Sequence, residues 1–182
     1  MSKLIVDRAR PVDTTAVETV LDAAAEWQQS RGIGQWTPGQ FRDEIRDTIE
    51  NGSLYVARRG SAIIGCFMLD EGSPRMRQWL AEHGREPGSG LNVGRLAVAR
   101  GASGEGIGVE LLNEACTVAA RRGVAHLWLD CPAENARLRR YYVDAGFAYL
   151  GDNDIPGPNG EPWVSSVFER TTGTWRPAPR LS

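Results

Sequence analysis

The sequence predicts a mixed α/β (α+β) fold, a central mixed and largely antiparallel sheet of about six or seven strands with helices on both faces. Three observations predict it. β-rich runs and helical periodicities follow one another in the order β-α-α-β-β-β-α-β-α-β-β. Two neighbouring runs, 53–59 and 62–70, are joined by Gly60-Ser61, a two-residue hairpin signal. Later, a strand over 91–98, a helix over 106–122 and a strand over 124–131 succeed each other, the order of a right-handed parallel crossover.

Each element has its own local reason. Residues 3–7 form a short apolar run between charges and read as the first strand. Val17, Val20, Leu21, Ala24 and Trp27 then fall at helical spacing, with Thr15 and Glu18 placed as a capping box and Gly32 and Gly34 as the stop. A second helix is expected over 38–50, where Phe41, Ile45 and Ile49 lie four apart and Gly52 follows. The segment 71–90 is polar and rich in glycine, and only 76–81 reads as a helical turn.

In the helix over 106–122, Ile107, Leu111, Ala115 and Val118 share a face, Arg121 and Arg122 complement the C-terminal dipole, and Gly123 ends it. Residues 124–131 are almost continuously apolar, as in a strand buried on both faces. A helix over 135–145 stops at Gly146. Strands over 147–151 and 163–170 follow, separated by a Gly/Pro-rich turn region at 152–162. Residues 1–170 are expected to form a single domain, and 171–182 a mobile tail.

Composition excludes several classes of protein. At 182 residues with 41% hydrophobic and 24% charged side chains, the chain is long enough for a substantial core and ordinary for a globular protein. A formal net charge of -2 argues against broad nucleic-acid binding. The three cysteines, Cys66, Cys116 and Cys131, lie in or beside apolar runs and read as core thiols rather than a disulfide framework. His83 and His126 lack ligand spacing, so no metal is expected. The N-terminus lacks a signal-peptide core and no run reaches the length of a membrane span, so no membrane partner and a cytoplasmic location are expected.

The chemistry concentrates at residues 96–109, Leu-Ala-Val-Ala-Arg-Gly-Ala-Ser-Gly-Glu-Gly-Ile-Gly-Val. A strand runs into a glycine-rich turn that opens a helix. Such a turn leaves backbone N–H groups unpaired and convergent, and the helix dipole adds positive potential there. The result is a pocket for a phosphate-type anion. No Gly-Lys-Ser/Thr follows the glycines, against a nucleoside-triphosphate loop, and Val109 stands where a dinucleotide fingerprint needs glycine. From this stretch alone, glycines that serve only tight helix–strand packing remain an alternative.

Leu96-Ala97-Val98 followed by Gly104-Glu105-Gly106-Ile107-Gly108 resembles the acetyl-CoA motif of GNAT-superfamily N-acetyltransferases. The run from Asn135 through Tyr141-Tyr142 to Gly146-Phe147 resembles their following motif. The order of the two motifs, with a strand between, is more specific than either alone.

The resemblance implies a sheet splayed between strands 4 and 5, with acetyl-CoA as acyl-donor cosubstrate. Main-chain groups of Leu96, Ala97 and Val98 would pair with the pantetheine arm and the acetyl carbonyl. Amides of Gly104, Glu105, Gly106, Ile107, Gly108 and Val109 would hold the pyrophosphate, and Asn135 would bond the pantetheine arm. Tyr142 occupies the position of the tyrosine that protonates the departing thiolate, and Gly94 is expected to mark the bulge of the fourth strand. Ser103 and Glu105 depart from the family pattern, where Arg or Gln and a basic residue are usual. An acid beside a pyrophosphate is unfavourable unless its side chain points to solvent.

The implied reaction is direct attack of a small-molecule amine on the thioester. Asp130, near the end of the fifth strand, is a candidate catalytic base. Asp70 and Glu71, which end the third strand, could instead reach the acceptor through water, and a water chain without a dedicated base is a further alternative. Trp36, Asp70 and Glu71 are the candidates on the acceptor side. Trp79 reads either as acceptor wall or as a cap over core. The alternatives are acetylation of a protein or peptide, and a non-catalytic CoA-binding sensor. A homodimer through an edge strand at 163–170 is an expectation by analogy only.

Overall fold

The computed structural model describes residues 4–86, 88–156 and 162–173. They form five α-helices and seven strands and divide into two compact units, Met1–Asp70 with Asn92–Ala115, and Glu71–Leu91 with Cys116–Ser182.

In the first unit, strand β1 (Leu4–Arg8) pairs antiparallel with β2 (Leu54–Arg59), β2 with β3 (Ala62–Asp70), and β3 with β4 (Gly90–Val98). Helix α1 (Thr14–Ser30) and helix α2 (Arg42–Glu50) cover a core built of Val17, Val20, Leu21, Ile45, Ile49, Leu54, Val56 and Cys66. The Gly60-Ser61 hairpin forms as its residues require, with Gly60 at φ 63.

Two helix starts differ from expectation. The capping box forms one turn earlier: Asp13 accepts from the Arg10 N–H at 2.8 Å and a 3₁₀ turn, Pro11–Asp13, leads into α1, so Thr15 already lies inside the helix. Helix α2 begins at Arg42, four residues later than expected. Gly39 adopts φ 78 and gives its N–H to the Asp22 carboxylate at 2.7 Å, which breaks helical geometry there.

In the second unit, β5 (His126–Pro132) and β6 (Ala148–Pro156) both pair antiparallel with β7 (Pro162–Thr171). Strand β7 is therefore interior to this three-stranded arrangement, and the edge expected at 163–170 belongs to β6. Strand β6 also runs five residues beyond its expected end. Ser166 donates to the Asp152 carboxylate at 2.6 Å, while the Trp79 indole and Arg75 donate to the carbonyls of Asp152 and Asp154. Tertiary partners thus satisfy a polar stretch that reads locally as turn.

Helix α3 (Pro74–Glu82) is a full helix rather than a turn. Ser73 caps it by accepting from Met76 N–H at 3.1 Å, and Pro74 takes the first position, where the missing N–H has no cost. Helix α4 (Ile107–Arg121) and helix α5 (Ala136–Asp144) lie within one residue of expectation at each end. No helix among the described residues is long and apolar enough to cross a membrane. Most of the expected tail, 174–182, lies outside the described residues, whereas Thr171 closes β7.

Candidate active site

Strand β4 is where the sequence places the first contacts, and its backbone is irregular. Cys66 pairs with Ala97 and Met68 with Gly94, so β3 has one residue, Phe67, where β4 has two, Arg95 and Leu96. This is a β-bulge. Its first residue is Arg95 at φ 51, the one non-glycine with positive φ among the described residues. Gly94, where the bulge was expected, serves a different need: a Cβ there would stand 3.2 Å from Met68 Cε. An L-residue in the left-handed region costs about 1–2 kcal/mol, and this slot of a bulge normally takes glycine. Beyond the bulge, Ala97 is buried and Leu96 and Val98 are half-buried.

Strand β4 leads through a 3₁₀ turn, Arg100–Ala102, into the glycine loop. The Arg100 guanidinium sits over the Trp27 ring, 4.4 Å from its centroid, and pins the start of that loop. Gly104 and Gly106 adopt φ 87 and φ 80, and a Cβ built on either meets nothing within 4 Å. The Gly106 carbonyl accepts from the N–H groups of Val109 and Glu110, whereas Gly106, Ile107 and Gly108 donate no main-chain hydrogen bond among the described residues. Open space, left-handed glycines and bare N–H groups at the head of a 15-residue helix fit a diphosphate.

The acid in this loop is neutralised rather than merely solvated. Glu105 accepts from the Arg59 guanidinium at 2.6 Å, with both side chains partly exposed. That hydrogen bond, opposed by burial and helped by the charges of Glu105 and Glu110, holds the Arg59 guanidinium above its ordinary value. Arg59 ends β2, 46 residues away, so no local pattern could have revealed the pair.

The remaining candidates lie in the second unit. Tyr142 is buried, its ring edge-on or tilted against Tyr141, Phe147 and Phe168 at 5.6–6.2 Å. Burial first, then the neighbouring Cys131, Tyr141 and Asp130, push its hydroxyl well above the ordinary tyrosine range. The group therefore stays protonated at neutral pH. Asn135 caps α5, its side-chain oxygen accepting from Leu138 N–H at 3.0 Å, and this use of the oxygen leaves its NH₂ to point elsewhere. Asp130 accepts from the buried Ser165 hydroxyl, and burial, assisted by the Asp130 charge, pushes the adjacent Cys131 thiol up to about 12.

The acceptor-side candidates fall in both units. Trp36 is half-buried and meets Phe41 edge-on at 5.3 Å in the first unit. Asp70 closes β3 directly opposite Asn92 of β4. Glu71 belongs to the second unit, where it lines a cleft of about 270 Å³ with Arg77, Leu80, Arg85 and Trp128. Trp79 is core: it is buried, stacks on His83 at 3.7 Å and donates to the Asp152 carbonyl. Sequence reasoning missed Arg95, Glu44 and Arg59 altogether. The signal for α3 was present in Ser73-Pro74, a cap followed by proline.

A bulged strand that runs into a glycine loop opening a helix is an arrangement that fits the coenzyme side of a transferase. Residues 21–147 match the model of the acetyltransferase (GNAT) family, and the chain belongs to that family as an acyltransferase. It is 29% identical over 146 residues to the uncharacterized N-acetyltransferase YesJ of Bacillus subtilis (strain 168), covering 76% of this chain and 78% of that protein. It is 39% identical over 61 residues to streptothricin acetyltransferase of Streptomyces lavendulae, covering 34% of this chain and 32% of that one. Among solved structures, yncA of Salmonella typhimurium with its cofactor acetyl-CoA shares the fold, with TM-score 0.67, 13% identity and 100% of both chains covered.

Proposed function

We propose that this protein is an acetyl-CoA-dependent N-acetyltransferase whose acceptor is a small-molecule amine, attacked directly in a ternary complex within a single functional domain of residues 1–170. The observation that supports it most is the loop at the head of α4, where left-handed Gly104 and Gly106 lead into the unpaired N–H groups of Gly106, Ile107 and Gly108 in a member of this family. The name of streptothricin acetyltransferase, which carries a small-molecule acceptor, favours that substrate class.

Acetyl-CoA supplies the activated acetyl thioester. The chain's own residues bind, orient and move protons. Amides from Gly104 to Val109 hold the diphosphate, as donors that need no side-chain charge. Main-chain groups of Leu96, Ala97 and Val98 align the pantetheine arm and give the acetyl oxygen its hydrogen-bond donor. The Asn135 NH₂ steadies the same arm. Tyr142 delivers a proton to the departing sulfur; its burial keeps that proton in place until a strong base arrives, and low-dielectric surroundings raise the basicity of a thiolate as well. Asp130 removes a proton on the acceptor side, with Ser165 fixing its carboxylate. Trp36, Asp70 and Glu71 contact the amine.

Isothermal titration of folded protein with CoA and acetyl-CoA, followed by thiol-release assays on an amine panel, tests this reading. Binding with turnover on small amines is expected. No heat at millimolar ligand would sink it, and turnover confined to peptide N-termini or lysines would move the acceptor to a protein.

A further inference from the structure

The bulge in β4 sits on an arginine, and that arginine is held from three sides. Its guanidinium donates to the Glu44 carboxylate of α2 through Nε at 3.3 Å and through Nη2 at 3.1 and 2.9 Å. The same guanidinium lies over the Phe41 ring, 4.3 Å from its centroid. Its carbonyl faces the Cys66 thiol of β3, with Sγ at 3.6 Å. Burial pushes that thiol up to about 12, with a backbone hydrogen bond from Ala97 opposing, so the S–H remains a donor.

No other non-glycine among the described residues adopts positive φ. Glycine would meet the backbone demand of residue 95 without strain, so the arginine is present for its side chain. Its clamp joins one turn of α2 to the bulge immediately before Leu96.

We propose that Arg95, clamped by Glu44 and Phe41, is a positioning residue that fixes the β4 bulge and thereby the direction of the Leu96, Ala97 and Val98 main-chain groups. The inference rests on the proposed role of those groups in holding the acetyl arm. It assigns to α2 a task in catalysis that requires no contact with either substrate. The pyrophosphate loop is a separate anchor, so the clamp affects how the acyl end is held and not whether the coenzyme binds.

Arg95→Gly separates the two properties of the residue: it keeps the left-handed backbone and removes the clamp. Thermal midpoint, calorimetric affinity for CoA and for acetyl-CoA, and steady-state kinetics are measured on the parent, R95G, E44Q and the double variant. R95G is expected to keep its thermal midpoint and to lose less affinity for CoA, which has no acetyl group to misplace, than for acetyl-CoA. It is expected to lose about tenfold in acetyl-CoA affinity, the scale of one hydrogen bond. Its kcat is expected to fall about 10- to 100-fold, the scale of a misplacement near one ångström. E44Q shifts the same quantities in the same direction, and the double variant is no worse than R95G, because both act through one contact.

An R95G enzyme with parental kcat and acetyl-CoA affinity overturns the inference, as do additive losses in the double variant. Should R95G fail to fold, E44Q decides, since it leaves residue 95 untouched. A parent that binds neither CoA nor acetyl-CoA removes the cofactor reading itself, whereas a parent that binds and turns over beside indifferent variants removes only the clamp.

Discussion

The glycine loop of the first unit and the buried tyrosine of the second present opposite problems. Residues 103–106 are exposed, and the donors proposed there are main-chain N–H groups, to whose grip side chains would contribute nothing. Tyr142 is buried among aromatic rings, and the one group of interest is a side-chain hydroxyl. A backbone site tolerates side-chain change as long as φ and ψ survive. A side-chain site loses its chemistry when one atom is removed, with the fold intact.

The largest test of that contrast is Tyr142→Phe. It is expected to lower kcat by about 10²–10⁴-fold, with CoA affinity unchanged in titration calorimetry. An unaltered kcat would take the hydroxyl out of the reaction. Because burial raises this hydroxyl above its ordinary range, its ionisation is not expected to curb activity at mildly alkaline pH; an alkaline limb below about pH 10 that vanishes in Tyr142→Phe would contradict this.

Next in size is Gly106→Val. The backbone at φ 80 cannot hold a β-branched residue without strain, so CoA affinity is expected to fall by about tenfold or more while kcat at saturation changes little. If a β-branched residue there left the Kd untouched, the amides would not be the anchor.

A third variant concerns the framework of the second unit. Glu169 accepts from Nε and Nη2 of Arg85 at 2.7 and 3.0 Å and from the Trp128 indole at 2.8 Å. Burial favours its neutral form, but those donors and their charge prevail and hold its carboxyl below the usual 4.5. A lowered folded-state value means stability that is present above the unfolded value and lost as pH falls through the folded one. Glu169→Gln is expected to lower the thermal midpoint at pH 7 by about 2–6 °C and to flatten its decline in acid. Parallel acid melting of parent and variant would contradict that assignment.

The smallest effect belongs to Glu105→Gln. It removes an acid beside the loop and frees Arg59, so CoA affinity is expected to rise about two- to threefold at low salt, and less at high salt. A loss of affinity would mean that the Glu105–Arg59 pair shapes the loop rather than balancing it.

What the sequence revealed and what it hid divide along the same line. The loop was legible because glycine at left-handed φ is a local code, and the order strand–glycines–helix repeats it. Asn135 and Tyr142 enter as candidates through the resemblance alone, and the capping role of Asn135 is visible only in the folded chain. The Arg95 bulge was not legible, since nothing local marks an arginine for positive φ; Glu44 and Phe41 stabilise it from 51 and 54 positions earlier. For the same reason the Arg59–Glu105 pair and the extension of β6 through Asp152–Asp154 escaped local reading. The late start of α2 escaped for a different cause, because the helical spacing of Phe41, Ile45 and Ile49 says nothing of Gly39 just before it, whose φ is 78.

If the acceptor is an amine, as proposed above, the protein's own amines are exposed to the same reaction. Lys3 is the chain's one lysine; every other strongly basic side chain is an arginine. Arg95, which immediately precedes the main-chain groups proposed to hold the acyl end, carries a guanidinium rather than an amine. Arg95→Lys would preserve the charge but put an ammonium there, which deprotonates far more readily and would make the protein a candidate for its own product.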